Sequence, residues 1–257
     1  MQLDPIAVAA GTRLETLGVV ASTNAEARRR AARGDRGPLW ITALAQTQGR
    51  GRMDRSWDSP AGNLYASLLL CEPSRVERAP ELSFVAALAV RDAIAAAAPM
   101  LAPQLALKWP NDVLLARRKC AGILIEGEVG TDNAVTAIVG IGVNCATHPD
   151  GAAFPATDLS AHGAVVAADR LFARLSAAMC GRLAQWNGGA GIAGLLDDWR
   201  AAASGIGEDV IVRNGAGEKR GRFVGLDRAG RLILELRGGA TEKISAGDVF
   251  PLDRRSG

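Results

Sequence analysis

The sequence is short of the features that most often announce a chemistry. It has only two histidines, His148 and His162, and they lack the spacing of metal ligands. The four cysteines, Cys71, Cys120, Cys145 and Cys180, stand apart with no CxxC pair, so nothing in their arrangement calls for zinc or a disulfide framework. There is no GxxxxGK[ST] phosphate loop and no GxSxG elbow. Gly49 and Gly51 are not followed by the third glycine of a dinucleotide fingerprint. A zinc enzyme, a triad hydrolase and a P-loop nucleotidase are disfavoured, and both histidines read as loop residues. Long apolar runs are also missing. AALAVRDAIAAAA is broken by Arg91 and Asp92 and is too short to span a bilayer. MQLDPIAVAAG carries no basic leader, so the expectation is a soluble, cytoplasmic protein with no membrane partner. A lopsided charge is absent too: the net charge is +3, with basic and acidic residues interspersed, which argues against a nucleic-acid tail.

What is present is 257 residues, 48% of them hydrophobic, enough to bury a full core. STNAEARRRAARG reads as a helix, with Thr23 and Glu26 at capping-box spacing and Gly34 as the stop. LWITALAQ and NLYASLLL read as strands, and ELSFVAALAVRDAIAAAAP as an alanine-rich helix closed by Pro99. LALKW and DVLLA flank a Pro110-Asn111 turn, and GILIEGEV and AVTAIVGIGVN read as buried strands. Residues 164–203 are helical around an NGGAG turn. After Gly205 the segments EDVIVRN, GRFVGLD, GRLILEL and EKISAGDVF alternate and suggest a small β-barrel. The expected architecture is α+β: a mixed sheet with packed helices over residues 1–204, then a β-barrel over 205–257.

Four short stretches carry potential chemistry. QTQGRGRMDRSW, residues 46–57, combines glycines that expose backbone N–H groups with Arg50, Arg52 and Arg55, whose forks match carboxylate and phosphate oxygens, and ends on Trp57. That suits an anionic ligand with a flat or apolar part, although a solvated basic hairpin would look the same. LKWPNDVLLARRKCAGILIEGE brings Lys108, Asn111, Asp112 and Lys119 to one hairpin, beside Gly122. Such a set can grip a phosphate and its Mg²⁺, or be an Asx-turn with surface lysines. GIGVN sets Gly140 and Gly142 before Asn144; the glycines either ease strand packing or let a ring lie against the backbone. Ser22, Thr23 and Asn24 are explained by helix capping or by a polar ligand.

Taken together and in this order, STN, Q-x-x-GRGR-x-x-R-x-W, KWPND, RK-x-AGILIE and GIGxN resemble the biotin protein ligases, from about Leu14 to Asn144. The resemblance implies a class II synthetase-like catalytic domain with a C-terminal β-barrel. It implies that biotin's carboxylate attacks the α-phosphate of ATP to give biotinyl-5′-AMP. A lysine of a biotin carboxyl carrier protein, as in acetyl-CoA carboxylase, then takes the biotinyl group. By the same resemblance Ser22, Thr23 and Asn24 would meet the ureido ring, and Gln46 would line the biotin pocket. Gly49, Arg50, Gly51, Arg52 and Arg55 would form a closing loop, with Trp57 packed on the ligand. Lys119 would hold carboxylate and α-phosphate in line, with Arg50 and Arg52 neutralising charge. Lys108, Asn111 and Asp112 would lie on the triphosphate and Mg²⁺ side, Asp112 as metal ligand. Gly122, Gly142 and Asn144 would border the ligand, Asn144 near the nucleotide. Phe154 would be a candidate adenine cover, and Arg254 or Arg255 would return toward ATP. With the ligase region starting inside the first twenty residues, a DNA-binding domain and DNA itself are not expected. Monomer and homodimer stay open. The rival readings are a lipoate–protein ligase, a nucleic-acid-binding module, and a biotin-binding protein without catalysis.

Overall fold

The computed structural model describes residues 1–129, 134–151, 154–215 and 217–252. A short helix α1 (Pro5–Ala9) precedes strand β1 (Arg13–Val20), helix α2 (Thr23–Ala32), β2 (Leu39–Gln46) and β3 (Leu64–Arg75). Helix α3 (Leu82–Ala97) leads to β4 (Leu105–Lys108), β5 (Asp112–Leu115), β6 (Arg118–Val129) and β7 (Ala134–Val143). These seven strands form one sheet in the order β1-β2-β3-β7-β6-β5-β4. Only β1 and β2 pair in parallel, joined through α2; the other pairings are antiparallel. The sheet is therefore mixed.

The run LWITALAQ is almost continuously apolar because both faces of β2 are covered. Leu39 and Ile41 face α2, where they meet Ala27, Leu69 and Ile138. Trp40 faces the other way and packs edge-on against Phe172, ring centroids 5.5 Å apart. Phe172 belongs to α4 (Ala168–Trp186), which with α3 covers that second face, while α5 (Ile192–Ala201) packs on both helices. Ten residues of α3 are buried, four of them alanine, which lets α4 pack closely against it.

The capping expectation at α2 needs correction. Ser22 is the N-cap and makes no side-chain cap hydrogen bond, while Thr23 is already helical. The backbone N–H of Thr23 donates instead to Gln46 Oε1 at 2.8 Å, so a neighbouring strand satisfies a group that the helix start leaves free. Glu26 pairs with Arg29 and Arg30 rather than turning back to the cap.

The last segments give β8 (Asp209–Asn214), β9 (Gly217–Leu226), β10 (Leu232–Glu235), β11 (Thr241–Ile244) and β12 (Asp248–Pro251). Their order is β11-β10-β9-β8-β12, an antiparallel sheet whose two ends are not paired among the described residues. It is a small open sheet rather than a closed barrel. The segment EKISAGDVF divides at residues 245–247, where Gly247 takes φ +159°, and its halves go to opposite edges. The apolar face of this sheet, including Phe223, Leu232 and Val249, joins the main core. Trp109 Nε1 donates to Gly230 O at 3.0 Å, and Phe84 packs edge-on against Trp199 of α5.

Candidate active site

The α2 side of the main sheet is where α2 stops short. Pairing aligns Ser67 with Gly140 and Gly140 with Leu124; one step along, Gly142 pairs with Gly122 and Gly122 with Asp112. Directly paired residues share a face, so three glycines leave this part of the sheet bare. Above them lies a cavity of about 540 Å³. Its walls are the N-terminus of α2, the arginine loop at residues 50–58, the β4–β5 turn, Phe154, and Asp248 and Phe250 of β12.

The glycines make room for the protein's own side chains. A Cβ on Gly142 would sit 2.5 Å from Trp57 Nε1, and one on Gly122 would sit 2.9 Å from Trp57 Cζ3. A Cβ on Gly140 would sit 2.3 Å from Asn24 Oδ1. The ring that lies against this backbone is thus Trp57. Trp57 Nε1 is buried with no hydrogen-bond partner among the described residues. Gly49 does not line the cavity; it is required because a Cβ there would meet Trp57 O at 2.4 Å, closing the base of the loop.

One end of the cavity is polar and uncharged. Thr23 and Asn24 are buried at the start of α2. Thr23 Oγ1 lies 3.1 Å from Gln46 Oε1, and Gln46 Nε2 donates to Ser59 Oγ at 3.0 Å. Ser67 Oγ donates to Asn24 Oδ1 at 2.6 Å, and Asn24 Nδ2 donates to Glu126 Oε2 at 2.7 Å. Arg28 in turn holds Glu126 at 3.0 Å. The Asn24 amide is held from both ends, which fixes which way its oxygen and nitrogen point.

The opposite end is cationic. A bulge in β6 at Cys120 shifts the pairing with β5, so that Lys119 and Gly122 both come to Asp112. Lys119 Nζ stands 2.6 Å from Asp112 Oδ1, and Lys108 Nζ donates to Oδ2 at 3.3 Å. Burial alone would raise the Asp112 carboxyl, but Lys119 and Lys108 outweigh it and hold the group below its usual range. Burial pushes Lys108 the other way, downward from the usual lysine range. Lys108 is off the cavity wall, 4.3 Å from the Phe154 ring centroid; Lys119 is on the wall, 5.3 Å from the Trp57 ring.

Arg50 lines the cavity, is exposed and makes no ion pair among the described residues. Arg52 donates to Asn111 Oδ1 at 3.2 Å and Gly247 O at 3.3 Å, and burial lowers the pKa of its guanidinium. Arg55 forms a fork with Asp248, 3.0 Å to each oxygen. Asn144 Nδ2 donates to Thr157 O at 3.0 Å, pinning the following loop against the cavity. Neither histidine lines the cavity: His148 pairs with Asp158 and His162 contacts Thr157. Arg254 and Arg255 lie outside the described residues.

Sequence reasoning missed Ser67, Glu126 and Asp248. Ser67 sits inside the apolar run NLYASLLL, where a single hydroxyl was the only signal. Glu126 and Asp248 act across 102 and 193 residues of chain, beyond any local spacing.

Residues 20–144 match the profile of the Biotin/lipoate A/B protein ligase family, and residues 205–250 match the Biotin protein ligase C terminal domain. A biotin–[acetyl-CoA-carboxylase] ligase of Paracoccus denitrificans is 41% identical over 236 residues, covering 89% of this chain and 96% of the relative. The chain belongs to the biotin protein ligase family. A second family member, a biotin–[acetyl-CoA-carboxylase] ligase of Mycobacterium tuberculosis, is 37% identical over 95% of this chain and 92% of its own length. Among solved structures, the ligase of Aquifex aeolicus in complex with biotin and ATP superposes with TM-score 0.77 at 27% identity, covering 93% of this chain and 97% of that one. No helix among the described residues is long and apolar enough to cross a membrane.

Proposed function

We propose that this chain is an ATP-dependent biotin protein ligase, forming biotinyl-5′-AMP and passing the biotinyl group to a lysine of a biotin carboxyl carrier protein. Residues 1–204 would form the catalytic unit and 205–257 its appended sheet. The observation that carries the reading is one cavity with a fixed hydrogen-bonding end at Thr23, Asn24 and Gln46 and a cationic end at Arg50 and Lys119. A ureido head offers one acceptor and two donors and needs partners of fixed direction; a dithiolane does not.

Between the two ends, Trp57 would flank the apolar part of biotin. Its unmet Nε1 donor beside the cavity favours an acceptor supplied by a ligand or its water. The biotin carboxylate and the α-phosphate repel each other as they meet. Two unit charges about 4 Å apart cost ~4 kcal/mol at an effective dielectric of ~20, so a cation between them removes a barrier of that order. Lys119 would serve this, with Arg50 and Arg52 lining the same cavity. The carboxylate oxygen bonds to the α-phosphorus as the bond to pyrophosphate breaks. The acceptor lysine, as free amine, then attacks the acyl carbon and AMP leaves, with no covalent enzyme intermediate.

ATP is used as its Mg²⁺ complex, and Asp112 was the expected ligand. It does not fit that task as it stands, because its carboxylate is shared by two ammonium groups. We assign Asp112 to aiming Lys119 and route no step through a protein-bound ion. The bound ion would neutralise the departing pyrophosphate.

The test is intact mass of a biotin carrier domain after incubation with the protein, Mg-ATP and biotin, with lipoate in a parallel reaction. One added biotinyl group, dependent on ATP and absent with lipoate, supports the reading. Lipoyl addition instead, or neither product and no biotinyl-AMP in solution, overturns it.

A further inference from the structure

One carboxylate on the cavity wall has no part in either step of the proposed reaction. Asp248 opens β12, in the second sheet, yet its side chain faces the arginine loop and is largely buried. Arg55 holds both of its oxygens at 3.0 Å, a two-pronged pairing that fixes direction as well as distance. Arg52 reaches the same carboxylate more loosely, at 3.9 Å, and donates to the carbonyl of the preceding Gly247 at 3.3 Å. These contacts join residues nearly two hundred positions apart.

The loop needs such a hold. Met53 and Asp54 adopt φ of +53° and +54°, a conformation that costs non-glycine residues energy unless their surroundings impose it. Met53 is 60% exposed, and Asp54 and Ser56 are exposed as well, so apolar burial does not supply the restraint. Within the loop there is a hydrogen bond from Gly51 N–H to Arg55 O at 2.7 Å, which shapes the tip without attaching it to anything. The attachments of the tip run through Arg52 and Arg55 to β12 and to Asn111.

We propose that Asp248 is a positioning residue that anchors the arginine loop to the C-terminal sheet, keeping the loop over the cavity and retaining the acyl-adenylate until the acceptor arrives. The proposal rests on the biotinyl-adenylate reading of the cavity. The two arginines then divide the work. Arg55 stays on Asp248 as the fixed tether, while Arg52, the looser partner, turns between Asp248 and the phosphate of the adenylate. The appended sheet thereby takes part in the reaction without touching the reacting atoms.

The experiment compares the native protein with Asp248→Asn and Asp248→Glu. Limited trypsin digestion without ligand, with cuts mapped by mass, reads loop opening directly at Arg50, Arg52 and Arg55, and free biotinyl-AMP is measured during turnover without acceptor. The Asn variant is expected to be cut in the loop about tenfold faster, as loss of a charged hydrogen-bond pair implies, and to release adenylate severalfold faster. The Glu variant should stay within about threefold of native, because hydrogen bonds to a charged group depend on the charge being kept. Unchanged loop cleavage in the Asn variant, acceleration no greater in the loop than elsewhere, or a Glu variant as labile as Asn would overturn the proposal. If the native protein makes no adenylate, the functional reading fails, while the digestion still decides whether Asp248 holds the loop.

Discussion

Replacing Lys119 with Met separates two roles that its position combines. Lys119 stands 2.6 Å from Asp112 Oδ1, and Asp112 is 7% exposed. Removing the ammonium leaves a buried carboxylate with Lys108 alone, 3.3 Å away. Breaking a buried pair costs ~3–5 kcal/mol when the remaining charge has no other partner. Because Lys108 remains and the Lys119 side chain is 26% exposed, the cost falls to the bottom of that range or just below it, about 2–3 kcal/mol. Lys119→Met/Asp112→Asn removes the stranded charge and should recover stability to within about 1 kcal/mol of native. Adenylation should behave otherwise. Loss of one preorganised cation at the developing charge costs about 10²–10³ in rate, in the single and in the double variant alike. Urea denaturation gives the stability, and ATP- and biotin-dependent pyrophosphate release gives the rate. A double variant that regains pyrophosphate release would refute the reasoning, because Lys119 would then serve only to neutralise Asp112.

Gly142→Ala should push Trp57 into the cavity, since the new methyl carbon would lie 2.5 Å from Nε1 and 2.6 Å from Cε2. We expect a loss of about 1–2 kcal/mol in thermal melts from overpacking, with KM for biotin raised about tenfold by crowding of the slot; an unchanged KM would show that the ring does not border biotin. Burial pushes the Cys120 and Cys145 thiols up to about 12. The reactive thiolate forms only as pH rises through the folded value, so at pH ~8 both should resist iodoacetamide while half-buried Cys71 is labelled, and Cys180, which burial raises less far, is labelled more slowly. Mass spectrometry should find two labels on the folded protein and four in urea, and four on the folded protein would refute the packing around Lys119.

The parts legible in the sequence were those written in local spacing. KWPND gave a strand, a turn and a strand because proline and two turn-forming residues interrupt an apolar run, and β4 and β5 flank it as expected. GRGR with Trp57 marked the loop, and the expected residues around it line one cavity, apart from Gly49 and Lys108. What failed to show depends on register. The pairing of Asp112 with Lys119 follows from the bulge at Cys120, and no spacing rule encodes an extra residue in a strand. Lys108 looked like a ligand group because it ends a strand, but the strand turns it inward to Asp112. Thr23 has the interval of a cap with Glu26, but the side-chain oxygen of Gln46, on β2, accepts its N–H instead.

The interior of the main sheet does not end near residue 204, ahead of the second sheet. Phe84 and Trp199 belong to one side, Phe223, Leu226 and Leu232 to the other, and all five sit in a single continuous cluster. Trp109 bridges the junction, its Nε1 donating to Gly230 O at 3.0 Å. A chain severed near residue 204 would present this apolar wall to water on both fragments. The two stretches match different profiles yet share one folded interior. Heating should melt them in one cooperative step, and the tail cannot be lost without the enzyme's interior going with it.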